Sequence, residues 1–513
     1  MQFVSSRNKM NVVNAETAIV KGLAEDGGLF TPIDFNSRLI LDDIKNKSYK
    51  DIAEIILTNF FDTLDKNKIK NAINNAYDKF DTKDVTPTKK VSDKNGNDDF
   101  YLELFHGPTS AFKDVALTML PHLLTISYDK LSINKKVYIL CATSGDTGKA
   151  ALEGFKDVNN TYITVFYPNK SVSKIQELQM STTTGNNTNV VSVNGNFDDC
   201  QKVVKSLMKE SDELLKDKNV LFSSANSINI GRLVPQIVYY IKSYFDLVNT
   251  NEIKLNEKIN FCVPTGNFGD ILAGYIAKRI GLPIDKLICA SNKNNILTDF
   301  LNTGIYDARR KFYNTNSPSM DIIISSNLER LLYIESGYDD KFIKKIMEEL
   351  DTNKVFDLNK NFKDVYENIK KTFVGYFADV NETNATIKKV YDEYNYLIDT
   401  HTAVAKAAKD KFVNDENIDE TSRKNKTVIL STASPYKFCT SVYNAINGNA
   451  NNNTNIDEFE IMTKLENETN TKAPKNLCSL NTLPILHSDN IDKEEAREYI
   501  QNKIDILNNS IKK

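Results

Sequence analysis

From Phe100 onward the chain alternates short apolar runs with stretches of helical periodicity, and that alternation constrains the fold more than any other feature. The runs cover residues 137–142, 162–167, 190–193, 259–263, 287–290 and 428–431. Runs of this length between helical patterns are buried on both faces, so they predict parallel sheets covered by helices. Two of the runs end in a glycine-rich turn that opens a helix. The first turn is Thr143-Ser-Gly-Asp-Thr-Gly148, and the second is Pro264-Thr-Gly-Asn-Phe-Gly-Asp270. Glycine lets the backbone turn tightly and lets a ligand approach it. Unpaired N–H groups at the start of the following helix suit an anion. Neither turn has the spacing of a Walker loop or of a dinucleotide fingerprint. Taken singly, each is equally consistent with an ordinary strand-to-helix connection.

A third segment adds a reactive group. In His106-Gly-Pro-Thr-Ser-Ala-Phe-Lys113-Asp114, one lysine lies just inside a helix start, after a Gly-Pro turn and among small and apolar residues. A lysine that loses water there has a lowered ammonium pKa and can act as a Schiff-base nucleophile. A lysine on a helix is more often a solvated surface group. The two anion turns shift the balance, because together the three segments suit a cofactor with a phosphate and a substrate with a carboxylate.

These segments, with several others, resemble the threonine synthase family of fold-type II enzymes that use pyridoxal 5′-phosphate (PLP). The opening Ala18-Ile-Val-Lys-Gly-Leu-Ala-Glu-Asp-Gly-Gly-Leu-Phe30 with Pro32 is similar to the family's N-terminal signature. Residues 106–114, 143–148 and 264–270 match its lysine motif and its two glycine loops. So do Ala225-Asn-Ser-Ile-Asn-Ile-Gly-Arg232 and Asp399-Thr-His-Thr-Ala-Val404. Leu430-Ser-Thr-Ala-Ser-Pro-Tyr-Lys-Phe438 matches less fully, because histidine and a small residue are common where this chain has Ser434 and Tyr436. The resemblance spans about residues 2–438.

The resemblance implies an α/β fold with a large and a small parallel-sheet domain around a cofactor cleft, and a mainly helical N-terminal domain. It implies conversion of O-phospho-L-homoserine and water to L-threonine and phosphate, by β,γ-elimination and water addition. Lys113 would hold PLP and move protons. Gly266, Asn267, Phe268 and Gly269 would cradle the cofactor phosphate, with Asp270 capping the helix. Thr432 would face the pyridine nitrogen. Ser144, Gly145, Asp146 and Thr147 would hold the substrate carboxylate, through backbone and hydroxyl donors. Arg232 suits the departing phosphate bidentately, or else pairs structurally across the domain interface. Asp114 is read as structural, and His106 and His401 as hydrogen-bonded core imidazoles. A PLP phospholyase giving a 2-oxo acid and phosphate would carry the same motifs. A binding protein that had lost catalysis would not need Lys113, both loops and Thr432 together.

Composition narrows the partners. A net charge of −3, with acids and bases interspersed, offers no basic stretch for nucleic acid or an anionic membrane. The N-terminus has no apolar signal core, no stretch reaches transmembrane length, and no C-x-x-C pair occurs among six cysteines. Cys141, Cys262 and Cys289 read as small core residues. The expectation is a cytoplasmic enzyme with a small-molecule substrate and no metal, monomer or homodimer. Three divisions are expected: an N-terminal unit at 1–95, with a boundary in the polar cluster 93–99; a catalytic unit at 96–440, with the small domain at roughly 140–220; and an extension at 441–513. The Asn-rich stretches 381–386 and 447–455 read as surface loops or disordered insertions. The tail carries Ala496, Ile500, Ile504 and Leu507 on one face of a docking helix.

Overall fold

The structure is a computed structural model that describes residues 1–35, 39–448 and 456–509. Two sheets dominate it. The larger has six strands in the order Phe373–Phe377, Ile284–Ser291, Ile259–Pro264, Thr427–Ser431, Asp98–Glu103 and Thr88–Ser92. All neighbours are parallel except the final hairpin. The smaller has five strands, Asp489–Asp492, Thr188–Asn194, Thr161–Pro168, Lys136–Ala142 and Val220–Ser223, every pair parallel. The strands Lys136–Ala142 and Ile259–Pro264 are buried almost throughout, and for that reason they appear in the sequence as largely apolar runs. The expected α/β architecture with a large and a small parallel sheet is present.

The N-terminal region is mainly helical, as expected, with helices Tyr49–Phe60 and Lys66–Tyr77. It also carries an antiparallel sheet of Asn8–Asn14, Gln2–Ser5 and Phe30–Pro32, which the helical reading did not include. The polar cluster 93–99 is the turn of the edge hairpin, where the Asp93 carboxylate accepts from the N–H groups of Asn95 and Asn97. The stretch 381–386, expected as a loop, lies in the helix Val380–Tyr394. Asp379 and Glu382 form a capping box there, and that pair outweighs the asparagine content. Of the second Asn-rich stretch, residues 449–455 lie outside the described residues.

The chain returns to the smaller sheet at its far end. Asp489–Asp492 adds the outermost strand beside Thr188–Asn194. The helix Ala496–Asn509 follows, and Ala496, Ile500 and Ile504 are buried against Tyr138, Leu140, Phe166 and Val191. All six cysteines are free thiols, and Cys141, Cys262 and Cys289 are buried in strands.

Candidate active site

Lys113 opens the short helix Lys113–Leu117, and the loop before it is fastened to the end of a central strand. Phe112 N–H donates to the Thr432 carbonyl at 2.8 Å, and Ser434 N–H donates to the Ser110 carbonyl at 3.0 Å. Asp114 is fully buried and accepts from Thr109 N–H and from the Thr109 hydroxyl, so it is structural as expected. Burial pushes its carboxyl up to about 6.

The Lys113 side chain is 12% exposed. Its amine donates to Ser319 Oγ at 3.0 Å and reaches Asp146 Oδ2 at 3.5 Å. Burial lowers this ammonium pKa, Asp146 opposes the shift, and the charges of Lys437 and Arg232 add to it. The Asp146 side chain therefore faces the lysines. It also accepts from Gln176 Nε2, Ser319 Oγ and Lys437 Nζ. Burial pushes the Asp146 carboxyl up, but Lys437 and Lys113 overcome that and hold it well below the usual carboxylate range.

The first glycine turn is pinned by Thr143, whose hydroxyl accepts from Gly145 N–H and Gly148 N–H at 2.9 Å each. Gly145 has φ +138°, and a Cβ there would lie 2.5 Å from the Gln176 side chain. The N–H groups of Ser144, Asp146 and Thr147 have no acceptor among the described residues. They form a donor cradle at the start of helix Asp146–Phe155.

The second turn forms another donor cradle. The N–H groups of Gly266, Asn267 and Phe268 have no acceptor among the described residues, and helix Gly269–Arg279 begins directly behind them. Their carbonyls are tied down instead. Ser325 Oγ donates to Gly266 O, and Asn327 donates twice to Asn267 O. Phe268 is held in the left-handed region at φ +63°, with its ring 5.5 Å from that of Phe373. Three consecutive residues with unpaired N–H groups at a helix start fit a phosphate dianion. Asp270 does not cap this helix as expected. It is buried, accepts from the hydroxyls of Tyr239 and Tyr240, and its carboxyl is pushed up to about 6 by burial. Those tyrosines come from helix Ile230–Asn249, which packs against Gly269–Arg279 and draws the carboxylate inward.

Arg232 is buried near the start of Ile230–Asn249 and donates to the Ala225 carbonyl at 2.9 Å. Its Nε has no partner, and no carboxylate pairs with it among the described residues. Burial lowers the guanidinium to about 10. A buried cation in that condition is poised for an anion. Thr432 is buried at a strand end, and its hydroxyl makes no hydrogen bond among the described residues. Ser434 caps the turn Pro435–Phe438. Tyr436 packs in a second core, with its hydroxyl 2.6 Å from Thr471 Oγ1. His106 sits between Glu103 and Asp81, as a hydrogen-bonded imidazole. Ser319 escaped the sequence reading, because no motif surrounds it and its partner is 206 positions away.

The family model described as the threonine synthase N terminus matches residues 2–77. Threonine synthase of Saccharomyces cerevisiae is 37% identical over 86% of this chain and 88% of its own length. Human threonine synthase-like 1 is 36% identical over 95% of this chain, which spans 63% of that longer relative. The crystal structure of PLP-bound threonine synthase from Brucella melitensis superposes with a TM-score of 0.84 at 34% identity, covering 98% of this chain and 99% of that one.

Proposed function

The chain belongs to the threonine synthase family, and from that premise we infer how its residues divide the work. The enzyme is a PLP-dependent lyase that converts O-phospho-L-homoserine and water to L-threonine and phosphate, the last step of threonine biosynthesis. When bound, PLP supplies the electron sink for charge that develops on the substrate carbons.

In this reading Lys113 holds the cofactor and carries protons between substrate carbons. Burial lowers its ammonium pKa, the direction that favours the free amine needed for that role. The N–H groups of Gly266, Asn267, Phe268 and Gly269 hold the cofactor phosphate. Thr432 offers the pyridine nitrogen a neutral hydroxyl. The N–H groups of Ser144, Asp146 and Thr147, together with Gly145, receive the substrate carboxylate, while the Asp146 side chain stays with the lysines. Arg232 receives the substrate phosphate. The observation that carries the reading is the Lys113 amine, buried beside two donor cradles with unpaired N–H groups.

Among the described residues, no helix is long and apolar enough to cross a membrane. We take the enzyme to act in the cytosol as a monomer or homodimer, without nucleic-acid or membrane partners. The near-balanced charge of −3 supports the statement about polyanions. The test is product analysis from O-phospho-L-homoserine with PLP-loaded protein. Threonine appearing in step with phosphate is the expected result. A 2-oxo acid with phosphate would mark a phospholyase instead.

A further inference from the structure

We propose that Ser319 is the positioning residue for the Lys113 amine, and that the His401–Asp399 pair holds Ser319 in place. The inference rests on the role given to Lys113 above. Ser319 Oγ lies 3.0 Å from Lys113 Nζ and donates to Asp146 Oδ2 at 3.1 Å. The direct contact from the amine to Asp146 is 3.5 Å, beyond good hydrogen-bond length. The hydroxyl is therefore the close anchor, and its proton is committed to the carboxylate. Its lone pair faces the amine as an acceptor. A neutral Lys113 amine held this way keeps its own lone pair free for a substrate carbon.

The second half of the chain of contacts fixes Ser319 itself. Ser319 N–H donates to His401 Nε2 at 3.2 Å. A peptide N–H can only donate, so Nε2 is unprotonated and the ring proton sits on Nδ1. That proton is directed at Asp399 Oδ2, 2.7 Å away. Asp399 is in turn locked by the N–H groups of His401 and Thr402 and by the Thr402 hydroxyl. Asp399, His401 and Thr402 are all buried. The N-terminus of helix Thr400–Asn414 is thus tied through one imidazole tautomer to the turn Pro318–Met320, and through that turn to the amine. This gives the 399–404 motif a use that the cofactor and substrate contacts leave unassigned.

The test uses the full-length protein stripped of cofactor. One measurement is the rate at which added pyridoxal phosphate is captured, as the Lys113 amine condenses with the aldehyde and releases water; absorbance follows it. The other is the affinity for inorganic phosphate, which reads the Gly266–Gly269 cradle and Arg232 but not the placement of the Lys113 amine. Ser319→Ala should slow capture by about 10-fold, as expected for a misplaced reacting group, with phosphate affinity unchanged. Ser319→Thr should restore most of the rate. His401→Gln, which retains an acceptor, should be faster than His401→Leu. Capture by Ser319→Ala at the wild-type rate would overturn the proposal, and so would a parallel fall in phosphate affinity. Should Ser319→Ala fail to fold, equal rates for the two His401 variants would overturn it. Lys113→Ala is the control for the underlying assignment: normal capture by that variant would refute the role of Lys113, whatever Ser319 does.

Discussion

Lys437 Nζ lies 3.1 Å from Asp146 Oδ1, an ion pair in which the two side chains are 0% and 6% exposed. It joins the turn that follows the central strand of the larger sheet to the first helix behind the smaller one. Removing one partner strands a charge. Asp146→Asn should therefore destabilise the cofactor-free protein by about 3–5 kcal/mol in urea unfolding. Adding Lys437→Met should cost much less than the sum of the single changes, because the stranded charge is gone. Additive losses would show that the pair is not coupled.

Lys113→Ala should lower turnover of O-phospho-L-homoserine by at least about 10³-fold. The fold should survive, because Asp146 keeps Lys437, Gln176 and Ser319 as partners. Steady-state kinetics and a thermal melt together check this. Near-normal turnover would remove Lys113 from the mechanism.

Arg232→Gln should reduce kcat/KM by about 30-fold or more, the loss expected when one side of a buried charged contact is truncated. Inhibition by inorganic phosphate should weaken alongside. Unchanged kinetics with a lowered melting temperature would assign Arg232 to structure alone.

The carboxyl of Asp270 is raised to about 6 from an ordinary 3.8. Below about pH 4 both folded and unfolded chains hold this proton, and no penalty exists. As pH rises towards 6 the unfolded chain releases it first, so the folded state loses relative stability. Asp270→Asn removes that loss. Its unfolding free energy relative to wild type should rise by about 3 kcal/mol between pH 4 and pH 7, from roughly two pKa units. Equal pH dependence of the two proteins in denaturant melts would mean that Asp270 is ionised at little cost.

What the sequence disclosed follows from where burial is complete. The strands that carry the site end in Ala142, Pro264 and Ser431, are buried on both faces, and so stand out as apolar runs followed by glycine or hydroxyl residues. Phe373–Phe377 was not legible, because it is an edge strand with alternating exposure and a central glycine. A carboxylate beside a bound phosphate is unfavourable, which makes Asp270 read as a cap; only the packing of Tyr239 and Tyr240 turns it inward. Ser319 carries no local signal at all, since its role exists only where 113, 146, 319 and 401 meet. Asp379-x-x-Glu382, by contrast, was a local signal that polar composition obscured.

The late return of the chain to the smaller sheet sets a clock on its assembly. Ser192 and Asp489 touch across the outermost pair of strands, yet 297 positions separate them. At the usual pace of translation, about 5–20 residues per second, roughly 15–60 s pass between their syntheses. Throughout that interval Thr188–Asn194 is an uncovered edge beside a finished neighbour, the kind of template on which nascent chains stick to one another. The last strand and its helix thus act as a delayed cover for the growing protein, and the demand for chaperone protection should be concentrated in that minute.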